Sequence, residues 1–250
     1  MKPIALITGA TSGIGKATAE ILAEKYALII CGRRKDRLEK LQNELSEKTD
    51  VTWVSFDVRN REAVRQAVGS LEEKWKDIQV LINNAGNAHG LAPIDKGSPD
   101  DWDAMIDINV KGLLYVSKEI IPGMVKRQSG HIINIGSIAG VDVYPQGNVY
   151  NASKFAVDAL SKGMRQDLHL HGIKVSEIKP GLVETEFSEV RFKGDTGKAE
   201  NVYKGYDPLQ ARDIAETIHF ILSRPAHVNI ADMLVLPSAQ ATSTMVKKDQ

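Results

Sequence analysis

Cysteine is almost absent from this chain. Its one thiol, Cys31, has no internal partner, so no disulfide framework braces the fold and a reducing cytoplasm is the expected setting. Net charge is absent too: 32 basic residues balance 32 acidic ones, so no global field draws the protein toward nucleic acid or an anionic membrane. No apolar run approaches the roughly 20 residues of a membrane-spanning helix, and no basic segment leading into an apolar one opens the chain. A soluble protein is expected. Metal-ligand spacing is also lacking, because His169 and His171 lie near a helix end beside no cysteine or paired acid; no metal is expected. There is no internal repeat and no dividing linker. The 250 residues, 42% of them hydrophobic, therefore read as one domain over 1–250 with a single sizeable core.

What is present is an alternation. Short apolar runs rich in β-branched residues (4–8, 27–31, 51–57, 79–86, 131–137, 174–181 and 231–236) are separated by stretches of helical period. Those helical stretches fall at 13–26, 35–48, 60–75, 101–127, around Tyr150, and at 211–223. This pattern predicts an α/β domain built of βαβ units around a parallel sheet of about seven strands. Residues 184–208 are polar and break the alternation, and the tail from 238 to 250 is expected to be loose unless a partner subunit holds it.

Three glycines stand between the first strand and the first helix, in TGATSGIG (8–15). Gly9, Gly13 and Gly15 permit a tight turn and close backbone approach, and the helix N-terminus behind them aims unpaired N–H groups at an anion. Such turns also occur without ligands; the position after the first strand favours a pyrophosphate. At the end of the second strand stand Arg33 and Arg34, where a carboxylate would suit NAD. Their guanidinium forks suit the 2′-phosphate of NADP, the alternative being solvated arginines at a helix start.

Further along, Tyr150 and Lys154 lie four positions apart and so share a helix face. Spacing alone fits a tyrosine packed on a lysine stem as readily as a catalytic pair.

The order of TGATSGIG, Asp57, NNAG (83–86), Asn109, Ser137, YNASK (150–154) and PGLVET (180–185) resembles the short-chain dehydrogenase/reductase family over nearly the whole chain. The resemblance implies a single-domain Rossmann fold, doubly wound with helices on both faces, and a homotetramer. It implies catalytic roles for Asn109, Ser137, Tyr150 and Lys154. Tyr150 would be the proton acceptor, Ser137 the partner of the substrate oxygen, and Lys154 the cation that lowers the phenol's pKa and grips the nicotinamide ribose. Asn109 would anchor a water linking Lys154 to solvent. A cation about 4 Å from the phenol at an effective dielectric near 20 would contribute on the order of 4 kcal/mol. The same resemblance assigns NADP contacts to Thr11, Ser12, Ile14, Asp57, Val58, Asn84, Ala85, Gly86, Pro180, Gly181, Val183 and Thr185.

Less generic segments, among them EFSEVRFKGDTGKAE (186–200), resemble NADP-dependent 3-hydroxy acid dehydrogenases, which implies L-serine, L-allo-threonine or related hydroxy acids as substrates. Ile138 and the stretch from Asp142 to Pro145, between the serine and the tyrosine, depart from that pattern. Residues 184–208 follow the nicotinamide-side motif and suit a lid. Arg191, and after it Lys193, is the candidate for holding a substrate carboxylate. Two alternatives stay open: a reductase of β-ketoacyl groups or sugars, and a non-enzymatic NADP(H)-binding sensor, which would have no need of Ser137, Tyr150 and Lys154.

Overall fold

Among the described residues, 2–249 of a computed structural model, seven strands form one parallel sheet. In chain order, β1 (Ile4–Thr8) leads to α1 (Gly13–Leu22), β2 (Ala27–Gly32) to α2 (Lys35–Leu45), and β3 (Val51–Ser55) to α3 (Arg61–Gly69). β4 (Ile78–Asn83) is followed by α4 (Pro99–Ile106) and α5 (Leu113–Arg127), then β5 (Gly130–Ile135), α6 (Asn148–Leu168) and β6 (Ile173–Pro180). The order across the sheet is β3-β2-β1-β4-β5-β6-β9, where β9 is Asp232–Val235. Sequence order reverses between β1 and β4, which opens a crevice at the carboxyl ends of those strands.

Residue alternation decides which helix covers which face. In β1, Ala5 and Ile7 pack with Leu22 of α1, Leu38 of α2 and Ile218 of α9 (Ala211–Leu222). Their neighbours Ile4 and Leu6 point the other way, onto Val64 of α3 and Val116 and Met124 of α5. Both faces are dry, so truncating a fully buried Leu6 or Ile82 to alanine should cost roughly 2–5 kcal/mol.

Residues 184–208, which break the alternation, fold as α7 (Phe187–Arg191) and α8 (Thr196–Tyr203). A two-stranded parallel pair, β7 (Val183–Glu184) with β8 (Leu209–Gln210), closes the base of this excursion. The stretch expected to be one helix over 101–127 is interrupted: a π-helical turn, Asp107–Gly112, joins α4 to α5.

The tail is where expectation and structure part. Gln240 is buried, and its Oε1 accepts from the Leu182 N–H at 2.9 Å. Ser243 donates from its N–H and its hydroxyl to Asp142 at 3.0 and 2.7 Å, and the Asp249 N–H donates to the Gly205 carbonyl at 2.7 Å. The turn after β6 has a backbone donor to satisfy, and Gln240 of the tail supplies the acceptor. Gln250 lies outside the described residues. No helix among the described residues is long and apolar enough to cross a membrane.

Candidate active site

The crevice at the strand ends is a cleft of about 440 Å³. Of the site residues named from the sequence, all line it except Gly15, Asn109 and Lys193.

At one end lies the glycine turn. Gly9 and Gly13 hold positive φ values of 67° and 51°, which side-chain-bearing residues rarely adopt. A Cβ on Gly15 would run into the Gly9 carbonyl and lie 2.5 Å from Asn84 Nδ2. Gly15 thus permits packing behind the turn rather than contact with a ligand. Asn84 ties the ends of β4 and β1 together by donating to the Thr8 and Gly9 carbonyls at 2.9 and 3.2 Å. Ser12, at the start of α1, makes no side-chain capping bond, so the first N–H groups of the helix remain available where Ser12, Gly13 and Ile14 face the cleft.

Arg34 stands over this turn. Its Nη2 donates to the hydroxyls of Thr11 and Ser12 at 2.9 and 3.0 Å, and its Nη1 to Glu186 at 2.9 Å. Arg37 reaches the other oxygen of Glu186 at 2.6 Å. A carboxylate therefore already sits on this fork, which shows its fit to an anion. Arg33 is more exposed and lies 3.9 Å from Asp57, whose carboxylate is held mainly by Arg59. The arrangement fits a dinucleotide carrying an extra phosphate.

At the other end, α6 brings Tyr150 and Lys154 into the cleft, both buried. Ser137, ending the segment after β5, starts a tight turn in which its Oγ accepts from the Ala139 N–H at 3.1 Å. Lys154 Nζ donates to the Ile135 carbonyl at 2.9 Å and lies 6.0 Å from the centre of the Tyr150 ring. Asn109 sits in the π-helical turn, a distortion that recurs at functional sites. Its amide pairs reciprocally with the Asn87 backbone, both bonds at 2.8 Å, and donates to Ser153 at 3.0 Å. Ser153 in turn donates to the Tyr150 carbonyl at 2.7 Å. The built position of a Cβ on Gly86 lies 3.0 Å from Asn109 Oδ1 and 3.5 Å from Lys154 Nζ, so both groups face the same point, free of side chain only because residue 86 is glycine.

One electrostatic expectation is corrected. Burial pushes the Tyr150 phenol well above its ordinary range, helped by the nearby Tyr144 and opposed by Ser137 and Arg191. Lys154, its ammonium engaged by a carbonyl and standing off the ring, does not outweigh that burial. Burial also pushes Lys154 down to about 8, against the opposing pull of Glu177.

Arg191, at the end of α7, lies beside Tyr150. Its Nη2 donates to the Tyr144 hydroxyl at 2.9 Å, and its guanidinium carbon lies 5.6 Å from the centre of the Tyr150 ring. Phe187, one turn earlier, packs on Tyr150 with ring centres 5.8 Å apart. Lys193 turns away and pairs with Asp101 at 2.9 Å. Sequence reasoning missed Tyr144, Glu186, Phe187 and Gln240 as cleft residues. Tyr144 carried a signal, since it falls in the departing 142–145 loop, as did Glu186 and Phe187, which open the 186–200 segment; Gln240 carried none.

The model of the short chain dehydrogenase family matches residues 3–195. The chain is 47% identical over 240 residues to the NADP-dependent 3-hydroxy acid dehydrogenase YdfG of Salmonella typhi, covering 95% of this chain and 96% of that protein. It is 41% identical over 245 residues to sulfoacetaldehyde reductase 2 of Chromohalobacter salexigens, covering 97% of each. Among solved structures, the closed form of a serine dehydrogenase complexed with NADP⁺ superposes with a TM-score of 0.92 at 43% identity, over 99% of this chain and 100% of that one.

Proposed function

The chain belongs to the short-chain dehydrogenase family, and on that premise we propose that it oxidises the 3-hydroxyl of short 3-hydroxy acids. L-serine, L-allo-threonine and 3-hydroxypropionate are the substrates intended, with reduction of the corresponding semialdehydes or ketones as the reverse reaction. The enzyme is an NADP-dependent oxidoreductase. NADP⁺, once bound, supplies the hydride acceptor at C4 of its nicotinamide.

The chain's own residues do the rest. The turn at Gly9 to Ile14 holds the pyrophosphate, Arg34 with Thr11 and Ser12 holds the 2′-phosphate, and Arg33 and Asp57 with Val58 flank the adenosine. Ala85 and Gly86 border the ribose side. Pro180, Gly181, Val183 and Thr185 border the nicotinamide side. Tyr150 takes the proton of the substrate hydroxyl as the carbinol C–H bond gives up hydride, and Ser137 hydrogen-bonds the same oxygen. Lys154 holds the ribose and, with Arg191, offsets the cost of charging a buried phenol. Asn109 keeps α6 in register through Ser153 and anchors the water that exchanges protons with Lys154.

The observation that carries the substrate class is Arg191. Its guanidinium, held by the Tyr144 hydroxyl and the Gly90 carbonyl, stands beside the catalytic phenol, where a carboxylate two carbons from the reacting centre would lie. Residues 184–208 are accordingly a lid that closes over substrate and excludes water. The working form is proposed to be a homotetramer, supported by exposed apolar Leu114 on α5 and Phe155 on α6, in a reducing cytoplasm that suits the buried free Cys31.

The test is NADPH formation against a panel of free hydroxy acids, polyols and carrier-linked acyl thioesters. Turnover of free 3-hydroxy acids above the rest supports the reading. Preference for thioesters or polyols would replace it with a β-ketoacyl or sugar reductase.

A further inference from the structure

β6 is buried on both faces, yet it carries two charged residues, Glu177 and Lys179, on the face covered by α6. Glu177 is fully buried, and among the described residues neither of its carboxylate oxygens has a hydrogen-bond partner. Native structures rarely leave such a group orphaned. Service to Lys179 does not explain it. The Lys179 ammonium already lies 2.7 Å from both Asp158 and Asp232, and Glu177 stands off at 3.6 Å. Those two acids have further cations of their own, Lys162 and Arg165.

The Glu177 carboxylate instead lies against the chain that leads to Ser137. It is packed so closely on Gly136 that any side chain there would collide with it. The peptide running into Gly136 is the one whose carbonyl, that of Ile135, Lys154 Nζ grips at 2.9 Å. One peptide unit thus separates a buried carboxylate that accepts no hydrogen bond from a buried ammonium.

We infer that Glu177 is a positioning residue whose carboxylate keeps the Lys154 ammonium charged from across the Ile135–Gly136 peptide, so that the cation survives burial and remains available to Tyr150. The inference rests on the proposed roles of Tyr150 and Lys154. The charged groups facing Glu177 are Lys154 and Asp158 from α6, Lys179 from its own strand and Asp232 from β9; the adjoining part of β5 contributes only Asn134 and Gly136. Burial pushes Glu177 up to about 7, with Lys179 opposing, so the carboxylate is charged over the range in which Lys154 would otherwise lose its proton.

Glu177→Gln keeps the shape and removes the charge, and Glu177→Asp keeps the charge if the first variant fails to fold. Two readouts are needed. The first is an NMR titration of lysine-labelled protein without substrate, with Lys154 assigned by Lys154→Arg. The second is the alkaline limb of the kcat profile of the holoenzyme in hydroxy acid oxidation. Glu177→Gln should lower the Lys154 midpoint and shift the alkaline limb downward, each by on the order of one pH unit. KM should change little, and Glu177→Asp should restore most of both. An unchanged Lys154 midpoint overturns the inference, and a lowered midpoint with an unmoved limb overturns its catalytic part. Because the titration needs no turnover, failure of the dehydrogenase reading would appear separately, as an inactive wild type with a shifted midpoint.

Discussion

The Arg191 guanidinium donates to the Tyr144 hydroxyl across 2.9 Å, joining the end of the lid to the loop that follows Ser137. The bond brings a permanent cation to within 5.6 Å of the centre of the Tyr150 ring, the proposed proton acceptor.

From this follows the first prediction. Arg191→Ala should raise KM for L-serine or L-allo-threonine roughly 10- to 100-fold, the range for a lost charged hydrogen bond. KM for a short uncharged alcohol, if turned over, should hardly move. Tyr144→Phe keeps the ring and should cost less, on the order of fivefold. Steady-state kinetics with both substrates decide the matter; equal losses for both would remove Arg191 from carboxylate recognition.

The double variant Arg33→Ala with Arg34→Ala should weaken NADP⁺ by roughly 10- to 100-fold or more while leaving NAD⁺ nearly unchanged. Thr11 and Ser12 lose their guanidinium partner in that variant, but their hydroxyls are common to both cofactors. Fluorescence titration with each cofactor reads the difference directly, and parallel losses would show that the arginines do not read the 2′-phosphate.

Acid stability should depend on His131. This side chain is buried against the Ser176 hydroxyl at 2.8 Å, and burial pushes it down to about 3 from an ordinary 6.5. The unfolded chain binds a proton between those values and the folded one does not, so stability is full above about 6.5 and falls as pH drops toward 3. At about 1.4 kcal/mol per unit of pKa difference, the loss amounts to several kcal/mol. His131→Gln should flatten the fall of Tm between pH 6 and 4. A curve as steep as the wild type's would assign acid lability elsewhere.

Much of this was legible in the sequence, for identifiable reasons. β-branched runs such as IALIT and ALIIC are strands because both sheet faces are covered, so period and composition agreed. The cleft residues followed because short motifs at strand ends must meet at the crevice where strand order reverses. Three things were not legible. The π-helical turn around Asn109 leaves the apolar pattern of 101–127 intact, because one widened turn shifts side chains by only a fraction of a turn. The direction of the Tyr150 pKa depends on how deeply α6 buries the ring and on where Lys154 points, neither of which spacing determines. The tail's attachment and the contacts Arg191–Tyr144 and Arg34–Glu186 join segments distant in sequence, and only the packed chain brings them together. The charges of Glu177 and Lys179 in KVSEIKPG were visible, but a strand pattern gives no reason for them.

The central claim, proton exchange by Tyr150 during hydride transfer, is tested most directly by Tyr150→Phe. That variant removes the phenolic oxygen without opening a cavity, so the protein should keep its Tm and bind NADPH as the wild type does. Production of NADPH from NADP⁺ and the preferred hydroxy acid, followed by the near-ultraviolet absorbance of the reduced nicotinamide, should fall by about 100-fold or more, the scale of general acid–base catalysis. Turnover close to that of the wild type would contradict the account.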